Sequence, residues 1–255
     1  MRAKAAPRAL HDEGAIDTIY QSVALLQEER TLAGPGPRET TGWGQSEFAR
    51  AAVALVAAAL LVAGFLRMEN FCASLQSFHP AALPWDGLIP LEPAWVWIYL
   101  LYYPFCVSAA FFPGVFRRAR VFWAILLGFL FQFAAAGLIF YFFPTRIVHP
   151  SVPGVGLSAQ ALRELYAVDS GHCIFPSLHV ANTVFVSLVA TRMLAKRWSA
   201  LFFIVAGIIA ASTVLVKQHF LVDIPSGALL GILAYWLATR PALEGPKAGG
   251  LPIKG

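Results

Sequence analysis

Val121–Phe143, VFWAILLGFLFQFAAAGLIFYFF, runs for 23 residues without a charged side chain. A helix rises about 1.5 Å per residue, so such a run crosses the roughly 30 Å hydrocarbon core of a bilayer. The stretch reads as a membrane span, and the rest of the chain shares its character. Of 255 residues 58% are hydrophobic and 13% charged, where an ordinary soluble domain carries about 25% charged residues. The expected fold class is therefore all-α, a polytopic six-transmembrane-helix bundle. Spans are placed near 48–66, 94–115, 121–143, 177–195, 199–216 and 221–239. Before them, residues 1–46 read as a cytoplasmic tail, with a surface helix around Ile16, Ile19, Tyr20 and Val23 followed by a Gly/Pro linker. Residues 47–240 read as the six-helix membrane domain, and 241–255 as a disordered tail.

Basic residues set the sidedness. Arg117, Arg118 and Arg120 crowd the turn after the second span, and Arg192, Lys196 and Arg197 the turn after the fourth. Such turns stay cytoplasmic. The arginines and lysines of both ends agree, so both termini are expected inside. The net charge of +5 is explained by this clustering rather than by a nucleic-acid partner. The connections after spans one, three and five then face the extracytoplasmic side of a plasma (inner) membrane, and any site built there opens outward. Cys72, Cys106 and Cys173 have neither CxxC nor Cys/His metal spacing.

Ionisable groups are costly within a span, about 2.5–3.5 kcal/mol for a central charge, and so mark candidate sites. The run STVLVKQHFLVDIPSG brings Ser212, Lys217, His219 and Asp223 to the junction of the last two spans. At i,i+4 spacing Asp223 can accept the Nδ1–H of His219 and leave Nε2 free to attack an electrophile. The plainer alternatives are a helix cap for Asp223 and solvated interfacial tips for His219 and Lys217. A second run, SGHCIFPSLHVANT, holds two Ser-x-His triplets, and Pro176 starts the fourth span so that His179 falls in its first turn, on the side of His219. Asn182, Thr183 and Ser187 continue from it as a small, polar, helix-facing stripe, while Gly227 and Gly231 follow Asp223 as a surface for close approach.

These residues resemble the type 2 phosphatidic acid phosphatase and vanadium haloperoxidase superfamily, especially the branch of inositol phosphorylceramide synthase and related inositolphosphotransferases. FPSLHVANT is similar to the family's Pro-Ser-x-His element, and STVLVKQHFLVDIPSG to its Ser-x6-His-x3-Asp element. The resemblance implies His179 as general acid, His219 as the nucleophile that becomes phosphohistidine, Asp223 as its orienting partner, and Ser177 with its N–H as a phosphate holder. His179 is preferred to His172, which reads with Asp169 as a solvated loop, lining of the entrance being the alternative. LSAQALRELYAVDS reads as an amphipathic helix, either a lid or surface packing.

The family's first element, a lysine followed by Arg-Pro, is missing, and Thr213 stands where phosphatases carry arginine. Arg146, Lys217 and Ser212 are the substitute phosphate contacts expected here. A phosphate monoester carries about −1.5 to −2 charge and a diester one, so few cations favour a diester donor. The expected activity is a phosphotransferase moving a phospho-headgroup, phosphoinositol among the candidates, from a phospholipid to a lipid hydroxyl. A lipid phosphatase acting on phosphatidate or a polyprenyl diphosphate is the alternative, and a non-enzymatic lipid carrier the third. Membrane lipids are the only partners expected, with no metal or cofactor.

Overall fold

The computed structural model describes residues 43–244, and the expected amino-terminal surface helix, its linker and residues 245–255 lie outside them. The fold is all-α. Helix α1 covers Trp43–Ala73, and a 3₁₀ turn Pro84–Leu88 follows. The next apolar stretch is segmented into a turn Pro93–Trp95, α2 (Val96–Leu100), α3 (Tyr102–Ser108) and a turn Ala109–Phe111. Pro104 lies in the first turn of α3. A proline lacks an N–H and crowds the carbonyl four residues earlier, which suits a break before it. Then come α4 (Ala119–Phe142), α5 (Leu157–Val168), α6 (Leu178–Met193), α7 (Lys196–Leu215) and α8 (Asp223–Ala234). A π turn Tyr235–Thr239 and α9 (Arg240–Glu244) continue α8, so helix extends four residues into the expected carboxy-terminal tail.

Among the described residues, four stretches are long and apolar enough to cross a membrane: Ser46–Ala73, Pro93–Phe111, Ala119–Phe142 and Lys196–Leu215. The protein is a multi-pass integral membrane protein. The expected fourth and sixth spans are shorter, α6 having 16 residues and α8 only 12 before its π turn. The first span, expected over 48–66, is instead a helix of 31 residues that passes Arg67 and Glu69. Glu69 is buried rather than solvated, because the chain around Ser170 supplies it with partners.

Helix α6 is the centre of the bundle. Phe185, Val186, Val189 and Ala190 join Phe122 and Ile125 of α4, Ala206 and Ile209 of α7, and Ala234 and Tyr235 in one apolar cluster. Enclosed by protein, α6 tolerates polar residues that lipid would not. Thr183 donates to the His179 carbonyl at 2.9 Å, Ser187 to that of Thr183 at 2.8 Å, and Asn182 to the Tyr102 hydroxyl at 2.7 Å. The two glycines of α8 bring its backbone against α6. A Cβ on Gly227 would collide with the Ser177 carbonyl oxygen, and one on Gly231 with that of Ala181. Close backbone approach through small residues draws dispersion energy where no hydrophobic drive exists.

Candidate active site

His219 lies in the short connection between α7 and α8, and its backbone is fixed before its ring is. The Thr213 carbonyl accepts from the N–H groups of Gln218 and His219 at 2.9 and 3.1 Å, and Lys217 adopts a left-handed φ of 52°. That is a helix C-cap, which turns the chain sharply and satisfies a terminal carbonyl. Thr213, in the place of the family's arginine, thus shapes the turn through its main chain. One turn later Asp223 opens α8. Its Oδ2 accepts from the Phe220 N–H at 2.9 Å and pairs with His219 Nδ1 at 3.1 Å. A carboxylate only accepts, so Nδ1 carries the proton and Nε2 the lone pair. Asp223 is wholly buried and His219 nearly so.

His179 faces this pair from the first turn of α6, its ring centre 5.7 Å from that of His219. Tyr99 and Tyr102 hold it from the other side, at 4.5 and 4.1 Å between ring centres. Its Nε2 is buried and makes no hydrogen bond within the protein. The Ser177 hydroxyl accepts from the Val180 N–H at 3.3 Å, and the Ser177 N–H donates to the Asp223 carbonyl at 3.4 Å. Ser177 therefore ties the α6 start to the α8 start, and its N–H is committed there rather than to a ligand.

Three other expected contacts are not brought to the histidines. Lys217 Nζ donates to the carbonyls of Asp86 and Ile89, at 3.1 and 2.6 Å. The buried Ser212 hydroxyl bonds back to Ile209 at 2.6 Å. Arg146 is exposed, with its guanidinium 4.7 Å from the centre of the Phe78 ring. A solvated arginine keeps its hydration and a lysine bonded to carbonyls replaces it, so neither carries the cost of a charge buried without partners.

That cavity, of about 290 Å³, is lined by His179 and His219 together with Glu69, Asp169, His172 and Gln218. Among the described residues none of its walls is a lysine or arginine. His172 and Asp169, read from the sequence as a solvated loop, thus belong to the cavity wall. The cause is the local pairing of Arg146 with His172, where Ile147 N–H donates to Gly171 at 2.8 Å and Cys173 N–H to Thr145 at 3.1 Å. Gly171 (φ 74°) takes a left-handed conformation that suits a residue without Cβ, and Cys173 (φ 57°) takes one at a cost that persists where surrounding contacts impose it. Burial raises the Asp169 carboxyl above its usual value, against the opposing Gly171 N–H. Burial lowers His172, with Glu69 opposing and Arg146 adding to the effect. The last turn of α5 closes one side through Leu165 and Val168. Gln218, whose Nε2 is buried without a partner, also reaches the cavity.

Glu69 was legible as a carboxylate at the far end of an apolar run from Glu47, the pattern that marks a site by its cost. Ending the first span at residue 66 hid it. Cys72 and Cys173 are both buried and both free thiols.

Two histidines facing one another, one oriented by a buried aspartate, sit within a segment that matches a known family model. Residues 155–243 match the PAP2 superfamily. That segment, 89 of the 255 residues, is similar to the PAP2 superfamily. No curated protein and no solved structure matches it. The PAP2 segment begins just before α5 and ends with α9, so it contains His172, His179, His219 and Asp223 but not Glu69, Tyr99 or Tyr102.

Proposed function

We propose that this PAP2 protein is a membrane phosphotransferase that moves a phospho-headgroup, phosphoinositol among the candidates, from a phospholipid to a lipid hydroxyl through a phosphohistidine at His219. The observation that carries the reading is the His219–Asp223 pair with His179 across from it. Nε2 of His219 attacks phosphorus, the bond to the leaving diacylglycerol oxygen breaks, and protonated His179 gives that oxygen its proton. Asp223 holds the imidazole in its reactive tautomer and stabilises the positive charge that develops on it.

The charge inventory supports a diester donor. A cavity with Glu69 and Asp169 in its walls and no lysine or arginine among its described residues suits one negative charge better than two. Gln218 offers N–H donors there. Lipid phosphatase activity toward phosphatidate or a polyprenyl diphosphate, with water as acceptor, is the alternative outcome of the same machinery.

The six-span topology with both termini cytoplasmic belongs to this proposal. It is supported by contacts that gather basic residues at one end: Arg50 donates to the Phe116 carbonyl at 2.5 Å, Arg120 to that of Pro241 at 3.1 Å, and Arg192 to the Tyr235 hydroxyl at 3.0 Å. Glu69 stands 19 residues beyond Arg50 on α1, about 28 Å along the helix. Basic end inside, the catalytic cavity opens on the extracytoplasmic side of the plasma membrane.

Product analysis by mass spectrometry tests the function, offering phosphatidylinositol with ceramide or diacylglycerol, and phosphatidate alone, beside a His219→Ala control. A new phospho-headgroup lipid with matching diacylglycerol establishes transfer. Free phosphate from phosphatidate without transfer replaces it with the phosphatase.

A further inference from the structure

Beside the His219–Asp223 pair the cavity wall carries a second oriented imidazole. Ser170 joins two groups from distant parts of the chain. Its N–H and its hydroxyl both donate to Glu69 Oε1, each at 2.7 Å, and its Oγ lies 2.9 Å from His172 Nδ1. A serine hydroxyl has one proton and a carboxylate only accepts, so that proton is directed at Glu69. The remaining contact then requires His172 Nδ1 to be the donor, which leaves the lone pair on Nε2. Glu69 is 5% exposed, and a buried carboxylate with charge-assisted bonds holds its partners firmly. Phe78 limits the imidazole on another side, 5.3 Å away between ring centres. The ring is thereby fixed in one tautomer on the same wall as His179 and His219.

We propose that His172 is the general base of the second half-reaction, accepting the proton of the acceptor hydroxyl, with Ser170 and Glu69 as its positioning residues. The inference rests on the phosphohistidine reading above. The acceptor O–H gives its proton to His172 Nε2 while its oxygen forms a bond to phosphorus. The P–N bond to His219 breaks, and its electron pair returns to His219 Nε2. The positive charge gained by His172 is stabilised through Ser170 by Glu69. That proton returns through solvent to His179, which lost one to the leaving group. Assigning the two proton transfers to two histidines separates donor and acceptor, as suits a transferase with two lipid substrates.

Rapid-quench labelling tests this with 32P-phosphatidylinositol and 32P-phosphatidate, each offered separately in detergent micelles to the full-length protein. Alkali-stable label on the chain reports phosphohistidine. His172→Gln is expected to label at the rate of the unmodified protein and to lose label about 10²–10⁴-fold more slowly, the usual contribution of general base catalysis. Ser170→Ala and Glu69→Gln should slow the same step less, and Ser170→Thr, which keeps the hydroxyl, should restore it. Loss of label from the unmodified protein should rise with pH as His172 deprotonates, a limb absent from His172→Gln. The groups facing His172 are Glu69, Asp169 and Arg146, with His149, His179 and His219 nearby, so the comparison with His172→Gln isolates its share. Unchanged loss of label in both His172→Gln and Ser170→Ala overturns the proposal, as does equal slowing of labelling and loss. Failure of the unmodified protein to label with either lipid removes the nucleophile as well, and this inference with it.

Discussion

In the proposed mechanism His219 and Asp223 divide a nucleophile's needs between two side chains, and the consequences of removing each differ. His219→Ala removes the attacking nitrogen and should abolish both phosphoenzyme and turnover, measured by quench labelling; turnover in a folded His219→Ala protein contradicts the mechanism. Asp223→Asn keeps an acceptor for the Phe220 N–H but lets the imidazole choose the wrong tautomer. It should lower kcat by roughly 10³–10⁴-fold, in line with a triad aspartate, while the protein still purifies folded. His179→Gln should cost about 10²–10⁴-fold with a lipid donor. The loss should shrink with a nitrophenyl ester, whose leaving group needs no proton; an equal loss with both esters contradicts the acid role. These three residues were legible because polar groups at fixed spacing stand out in an apolar chain. Arg146 and Lys217 were chosen as the nearest cations in sequence, yet Lys217 satisfies carbonyls 128 and 131 residues away and Arg146 lies by Phe78. Spacing does not say where a long flexible side chain ends.

At the scale of the element, the α6–α8 contact sets the separation of His179 from His219. Gly227→Ala and Gly231→Ala each place a methyl group against backbone oxygen, which cannot rotate away. Each should destabilise the protein by about 1–3 kcal/mol, as overpacking does, and reduce activity by pushing the two histidines apart. Gly207→Ala is the control, since a Cβ there meets nothing within 4 Å. It should leave thermal stability and activity near those of the unmodified chain; equal effects at all three positions contradict the packing account. The same contact explains why α6 reads weakly as a span. Surrounded by α4, α7 and α8, it needs neither the length nor the uniform apolarity of a lipid-facing helix. Helix α1 shows the converse, with Leu55, Val56 and Leu60 exposed on a helix of 31 residues.

Across the whole molecule, the proposed topology puts the basic end inside and the cavity with its two histidines at the other. A cysteine replacing Arg117 should react with a membrane-impermeant thiol reagent only from the cytoplasmic side, and one replacing Ser151 only from outside, measured against the labelling of the native chain. Reaction of both from one side contradicts the topology. The sequence by itself determined that the chain enters a membrane as helices, because apolar length is a local property read against bilayer thickness. It also marked His179, His219 and Asp223, since the i,i+4 pair and the proline-led helix start are encoded within a few residues. Only the tertiary structure decided that Glu69 meets Ser170, 101 positions away, and that the half-buried His172 lines the cavity. Those placements depend on how α1 and the 145–147 strand-like segment pack against the loop before α6. Contacts so far apart in sequence leave no periodic signal, because their cost and their compensation lie on different parts of the chain.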